Sequence, residues 1–205
     1  MFFLVTSVDV VLGPLLTFAV FNLSKGWPHL RRDLAVIGLL QAAALIYGLH
    51  TVYVVRPVAT VFEVDRFRVI AAGDVFLPEL PKARAEYRSL PLTGPWLLGT
   101  RSPATGDERN DALFMGVEGV DPGQRPIFWQ PYADSMKAAV ARSRPIAALL
   151  GQYPARAGEY RQALRDMGAD EGSARFLPLM ARGDWVMVVD ATGAVLGQLE
   201  ADGFF

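Results

Sequence analysis

Apolar positions are unevenly spread along this chain. Two nearly continuous hydrophobic runs, Met1 to Phe21 and Leu34 to Val55, stand at its start, parted by the basic stretch Ser24-Lys25-Gly26-Trp27-Pro28-His29-Leu30-Arg31-Arg32. Each run is about 20 residues, the length an α-helix needs to cross a hydrocarbon core of roughly 30 Å. Backbone groups find no water inside a bilayer, so two such runs with a short connection predict two helices side by side, a membrane α-helical hairpin over residues 1–55. Lys25, Arg31 and Arg32 crowd the connection and nothing basic precedes the first run, which predicts a cytoplasmic loop with both ends of the hairpin on the far side. A cleavable signal would carry a basic start and a small-residue cleavage site, and neither is evident.

Polar residues inside the runs stand out because the solvent there is lipid. An ionisable group at that depth costs on the order of 3 kcal/mol even on the gentler insertion scale, so Asp9 is expected to face protein or a wet cavity. Gly13-Pro14 follows it, a place where a backbone donor is missing and another helix can approach closely. The second run carries Gln41 with Ala42, Ala43 and Ala44, then Tyr47, Gly48, His50 and Tyr53. Asp9, Gly13, Pro14 and Gln41 are the candidate partner-binding residues; a hydrogen bond within the hairpin would satisfy Asp9 and Gln41 equally well.

Arg56-Pro57 ends the second helix, since proline cannot continue the ladder and disfavours helical geometry before it. Residues 56–205, about 150, are enough for one domain with its own core. Val58 to Ile70 is rich in β-branched and aromatic residues and predicts a strand or a pair of strands starting directly at the membrane. Leu80 to Tyr87 reads as a weak helix, Trp96 to Thr100 as a short strand, Pro103 to Asp107 as a turn and Asn110 to Met115 as a short helix. After the turn Asp121-Pro122-Gly123, helices are expected over Tyr132 to Ser143, from Pro145 through Leu150, and from Glu159 to Met167 with Gly168 as its stop. Arg175 to Ala181, Trp185 to Asp190 and Val195 to Leu199 then read as strands, the last two joined by Ala191-Thr192-Gly193-Ala194. Strands at both ends with helices between predict an α+β periplasmic domain in which the early strand joins the terminal hairpin in one mixed or antiparallel sheet.

Composition narrows the chemistry. With 20 Lys+Arg against 21 Asp+Glu the net charge is -1, which gives no broad field for nucleic acid. No cysteine is present, and the two histidines are His29 and His50, so neither a metal site nor a histidine-assisted nucleophile can be assembled in the domain. No cofactor is expected either, because no glycine-rich phosphate loop occurs. The carboxylate pairs Glu63/Asp65 and Asp170/Glu171 are expected to be solvated surface. The chain reads as built for contact and not for catalysis; a membrane-anchored periplasmic enzyme, a cell-wall-binding module and an extracytoplasmic sensor input are the alternatives.

Specific strings add to this. Val8-Asp9-Val10-Val11-Leu12-Gly13-Pro14-Leu15-Leu16-Thr17, Asp33-Leu34-Ala35-Val36-Ile37 with Gln41 and Tyr47-Gly48, Arg56-Pro57-Val58-Ala59, and Phe62-Glu63-Val64-Asp65-Arg66-Phe67 together resemble the TfpX/TfpZ family of type IV pilin accessory proteins. Leu177-Pro178-Leu179 and the Asp190 to Leu199 hairpin are similar to that family too. The resemblance implies a non-enzymatic factor of type IV pilus biogenesis in the bacterial inner membrane, whose partner is a type IV pilin or minor pilin. It also implies a further membrane helix upstream of Asp9 to Pro14, and so an open reading frame that begins one helix late. Where the family tends to end in Pro-Trp, this chain has Asp202-Gly203-Phe204-Phe205.

Overall fold

A computed structural model describes residues 27–205, so Asp9, Gly13 and Pro14 lie outside the described residues. The chain divides into two units, one through Val54 and one from Val55 to Phe205. In the first, helix α1 spans Trp27–Val55. It starts inside the stretch expected to be loop, which puts Arg31 and Arg32 on its opening turns. Proline at the second helical position explains the early start, because its missing N–H falls among the donors that have no intrahelical partner anyway. From Arg31 to Val55 the helix is long and apolar enough to cross a membrane by length and composition. Leu39, Ile46 and Tyr47 are exposed, as is Gln41.

The second unit is a mixed eight-stranded sheet with helices against it. Its strands are β1 (Pro57–Glu63), β2 (Arg66–Ala71), β3 (Trp96–Thr100), β4 (Trp129–Pro131), β5 (Arg144–Pro145), β6 (Arg175–Ala181), β7 (Gly183–Val189) and β8 (Val195–Glu200). They run in the order β4-β3-β1-β2-β6-β7-β8, and β5 pairs with β6. Strand β1 is central: it pairs antiparallel with β2 and parallel with β3, and six of its seven residues are at least half-buried. That double coverage is why it reads as a nearly continuous apolar run and not a clean alternation. The early pair joins the C-terminal strands through a parallel contact, Phe67 beside Leu179 and Arg68 beside Met180, so the sheet is mixed.

Helices α2 (Gly106–Val117), α3 (Met136–Arg142), α4 (Ile146–Gln152) and α5 (Ala157–Asp166) complete the unit. Alternation along β7 sorts the core into layers. Val186 and Val188 pack with Leu149, Tyr160 and Leu164 of α4 and α5, whereas Met187 and Val189 pack with Tyr132, Phe67 and Ala139 on the other face. A third cluster gathers Val58, Val61 and Ile70 around Trp129, Tyr87 and Leu98. The Phe205 ring lies 6.0 Å from that of Phe176 and the Arg144 guanidinium 4.2 Å from Phe205, so the Phe205 side chain belongs to the packed body.

Several expectations need correction. Leu80 to Tyr87 is not a helix but two 3-10 segments, Leu77–Lys82 and Ala85–Tyr87, because Pro78 and Pro81 remove backbone donors. The turn expected at Pro103 to Asp107 ends at Thr105, whose hydroxyl accepts the Glu108 N–H at 3.1 Å and caps α2 early. Tyr132–Ser135 is a 3-10 turn that precedes α3, where one longer helix was expected.

Glu63 is the largest departure: it is 3 % exposed, not solvated surface. Its Oε1 accepts from Arg68 Nε at 2.6 Å and its Oε2 from the Gly123 N–H at 2.8 Å. Arg68 also pairs with Asp121, and the Gly123 carbonyl accepts from Trp129 Nε1 at 2.8 Å. One carboxylate therefore ties the β1–β2 hairpin to the 121–124 turn. Glu63→Ala is expected to cost about 2–4 kcal/mol, since it leaves the buried Gly123 N–H without an acceptor and takes one of two carboxylates from Arg68, whereas Asp65→Ala should cost under about 0.5 kcal/mol; urea titration of the two variants checks the contrast.

The hairpin turn itself is strained. Val64 has φ 51°, a left-handed conformation that a β-branched residue avoids, and the Asp65 N–H bonds back to the Glu63 carbonyl at 2.5 Å. The left-handed state costs about 1–2 kcal/mol for such a residue, against about 0.5–1 kcal/mol for the extra chain entropy of glycine. Val64→Gly should therefore stabilise by roughly 0.5–1 kcal/mol, and a lower denaturation midpoint would contradict the strain argument.

Candidate interaction surface

Helix α2 is attached to the body by charge. Arg101, just past β3, forks onto Glu108 with Nη1 to Oε2 at 2.9 Å and Nη2 to Oε1 at 2.6 Å, while its Nε donates to the Ile127 carbonyl at 3.1 Å. Arg125, 2 % exposed, pairs with the buried Glu79 and reaches Asp111 of α2 at 2.5 Å. Both guanidinium carbons lie 4.9 Å from the centre of the fully buried Phe128 ring. Stacking on an aromatic face while forking onto carboxylates is what arginine does and lysine cannot. Arg125 Nη1 is buried with no hydrogen-bond partner.

With Glu108 and Asp111 held by these arginines, α2 turns Leu113, Phe114 and Val117 outward. None of its residues is buried, and Leu113, Phe114 and Val117 are 65 %, 73 % and 87 % exposed. A soluble helix ordinarily does the reverse. Large apolar side chains grouped on an exposed face mark an interaction surface more often than chance exposure does.

A second feature lies at the other end of β3. An open groove of about 520 Å³ is bounded by Tyr87, Trp96, Leu97, Pro131, Met136 and Val195. Strand β4 covers β3 only from Leu98 to Thr100 and stops at Pro131, so the edge of β3 at Trp96 and Leu97 has no strand beside it on that side. Tyr132 forms part of the groove wall; burial pushes its hydroxyl up to about 12, with Asp190 adding to the effect, and it donates to the Gly193 carbonyl at 2.6 Å. The groove thus holds no ionised group at neutral pH and suits apolar side chains.

Gln41 is exposed on α1, in the other unit, and stands near none of these residues in sequence. Among the described residues no three His, Asp or Glu side chains converge as a metal site would require. The residues that build the two surfaces were not singled out beforehand. The sequence Thr105-Gly106-Asp107-Glu108 carries the capping-box spacing that opens α2, and Leu113, Phe114 and Val117 have the spacing of one helix face, but nothing local says that this face points away from the core.

No family model and no solved structure matches the chain. Two proteins of Dichelobacter nodosus, the "Fimbrial assembly protein, serogroup E1" and the "Fimbrial assembly protein, serogroup I", are each 33 % identical to it over 207 aligned residues, which take in all of this chain and 80 % of theirs. The "Fimbrial assembly protein, serogroups C1 and C2" of the same organism is 45 % identical over 83 residues, 40 % of this chain and 63 % of the relative. The chain belongs to this fimbrial assembly protein family.

Acid should loosen α2. The Arg101 fork, with the Ala104 N–H, holds the Glu108 carboxyl down at about 2, below its ordinary 4.5. A group depressed in the folded state contributes its full stabilisation above the ordinary value and loses it as pH falls through the folded one. Amide protection across residues 109–117 should therefore begin to weaken below about pH 4.5 and lose this contribution by about pH 2, and Glu108→Gln should reduce it at neutral pH but make little difference at about pH 2.

Proposed function

We propose that this protein is an inner-membrane accessory factor of type IV pilus biogenesis, of the TfpX/TfpZ kind, that binds pilin subunits before or during assembly and catalyses no reaction. The observation that carries this reading is the similarity to fimbrial assembly proteins along the whole chain. Helix α1 supports a membrane location, and Lys25, Arg31 and Arg32 at its start support a cytoplasmic beginning with the sheet unit in the periplasm. Only Arg56 separates α1 from β1, so chain connectivity keeps the start of the sheet unit close to wherever α1 leaves the bilayer. Asp9, Gly13, Pro14 and Gln41 are assigned to packing against an apolar helix of the client or a further helix, and the β3 groove to the client's periplasmic part. Both tasks need complementary surface and no reactive group, which agrees with a chain whose two histidines, His29 and His50, both precede the sheet unit.

Affinity-tagged full chain, extracted from bacterial membranes in mild detergent, should retrieve pilin detectable by immunoblot. Leu97→Lys, at a 40 % exposed groove position, should lower that recovery several-fold without lowering the amount of the protein itself. A periplasm-dependent reporter fused after Phe205 should be active and one inserted between Lys25 and Arg32 inactive. Absence of pilin from the wild-type preparation, or the reverse reporter pattern, would overturn the proposal.

A further inference from the structure

We infer that the outward face of α2 is a docking site for a polypeptide segment whose apolar residues are bordered by lysine or arginine, and, resting on the reading above, that this segment belongs to the pilin subunit. At 100° per residue, Leu113, Val117 and Phe114 fall within one arc of about 100° on the helix. Glu108, on the opposite side, and Asp111, about 60° beyond Phe114, are engaged by Arg101 and Arg125. The helix is thus oriented by its inner ion pairs, and the apolar arc cannot turn inward without breaking two charged contacts.

The rim of the arc specifies the partner's charge. Beside Phe114 lie Asp107 and Glu118, both exposed and without an ion pair among the described residues, while Arg109 borders the Leu113 side. The acids that face the body are neutralised by arginine and those at the outer rim are not. A basic neighbour is drawn to such a rim, whereas anionic lipid headgroups are repelled, which disfavours a membrane surface as the occupant. A second copy fits no better: antiparallel two-fold pairing of α2 would set acidic rim against acidic rim. Three side chains also offer only a few hundred square ångströms, short of the roughly 800 Å² per partner of a standard stable interface. The site therefore suits a contact that forms and releases.

The test uses full-length protein in membranes with a photo-crosslinking residue at Val117, the most exposed of the three, and a control at Arg165 on α5. Expected is a pilin adduct from position 117 and none from 165. The double variant Asp107→Asn with Glu118→Lys should cut the adduct roughly five-fold. Lysine near a helix C-terminus is favourable and asparagine is tolerated in the first turn, so α2 should keep its amide protection in that variant. An adduct only to lipid or to a second copy, or a pilin adduct indifferent to the rim charges, overturns the docking site while tagged wild-type protein still retrieves pilin. Loss of both the adduct and the retrieval overturns the pilin reading itself and this inference with it.

Discussion

A guanidinium withdrawn from water has to be paired, and that requirement at Arg125 organises the region around it. Its carboxylate partners come from two separate segments, Glu79 in the 77–82 turn and Asp111 in α2, and its flat face lies on Phe128 just before β4. Immediately upstream, the 121–124 turn holds Glu63 of β1 through the Gly123 N–H and holds Trp129 through the Gly123 carbonyl. Residues 121–129 are therefore a polar seam through which the central hairpin, the end of β3, the 3-10 segments and α2 are fixed to one another. Breaking any one contact leaves a buried charge or amide unmet, a cost of several kcal/mol for a charge, so the seam is specific even where its net contribution to stability is small.

How much of this could be read from the residues depends on whether the signal was local. The β-branched and aromatic run at 58–70 and the pattern of 175–199 identify strands because their periodicity is carried by neighbours, and one sheet, mixed or antiparallel, follows from strands at both ends with helices between, while the parallel contacts that make it mixed come only from the fold. Gly168 as a helix stop was equally legible, since φ 71° is a conformation that glycine adopts without strain. Glu63 was not. Its carboxylate looks like half of a surface pair with Asp65, and its burial depends on Gly123, which lies 60 residues away. Prolines defeated the helix pattern of 80–87 by removing donors that the apolar spacing does not reveal.

Helix α2 shows the same limit from the other side. A short helix is legible at Asn110 to Met115, but its earlier start at the Thr105 cap lies in residues that read as turn, and its orientation is not local at all, because Leu113, Phe114 and Val117 would ordinarily be taken as the inward face. The choice is made by Arg101 and Arg125, which belong to other parts of the chain and offer the acidic side a better partner than water. With no fully buried residue and, among its apolar positions, only Ala112, Met115 and Gly116 partly covered, α2 leans on these pairs for attachment, so its position is sensitive to charge where the sheet is sensitive to packing. Elements held in this way sit at the low end of local stability, which is where binding segments are commonly found.

An assembly factor that handles a subunit and then gives it up cannot bind as a permanent subunit does. Interfaces of obligate partners bury far more apolar area than the α2 arc or the β3 groove could supply alone. Two small surfaces on one sheet unit would behave differently: each alone would be weak, but with one engaged the other would act at a high effective concentration, and loss of either contact would let the client leave. If α1 tethers the factor to the bilayer, as proposed, a client that is also membrane-bound would meet it in two dimensions, which would strengthen this further. On the proposed reading, groove and helix would supply affinity in separable parts, a property that a single large apolar face would lack.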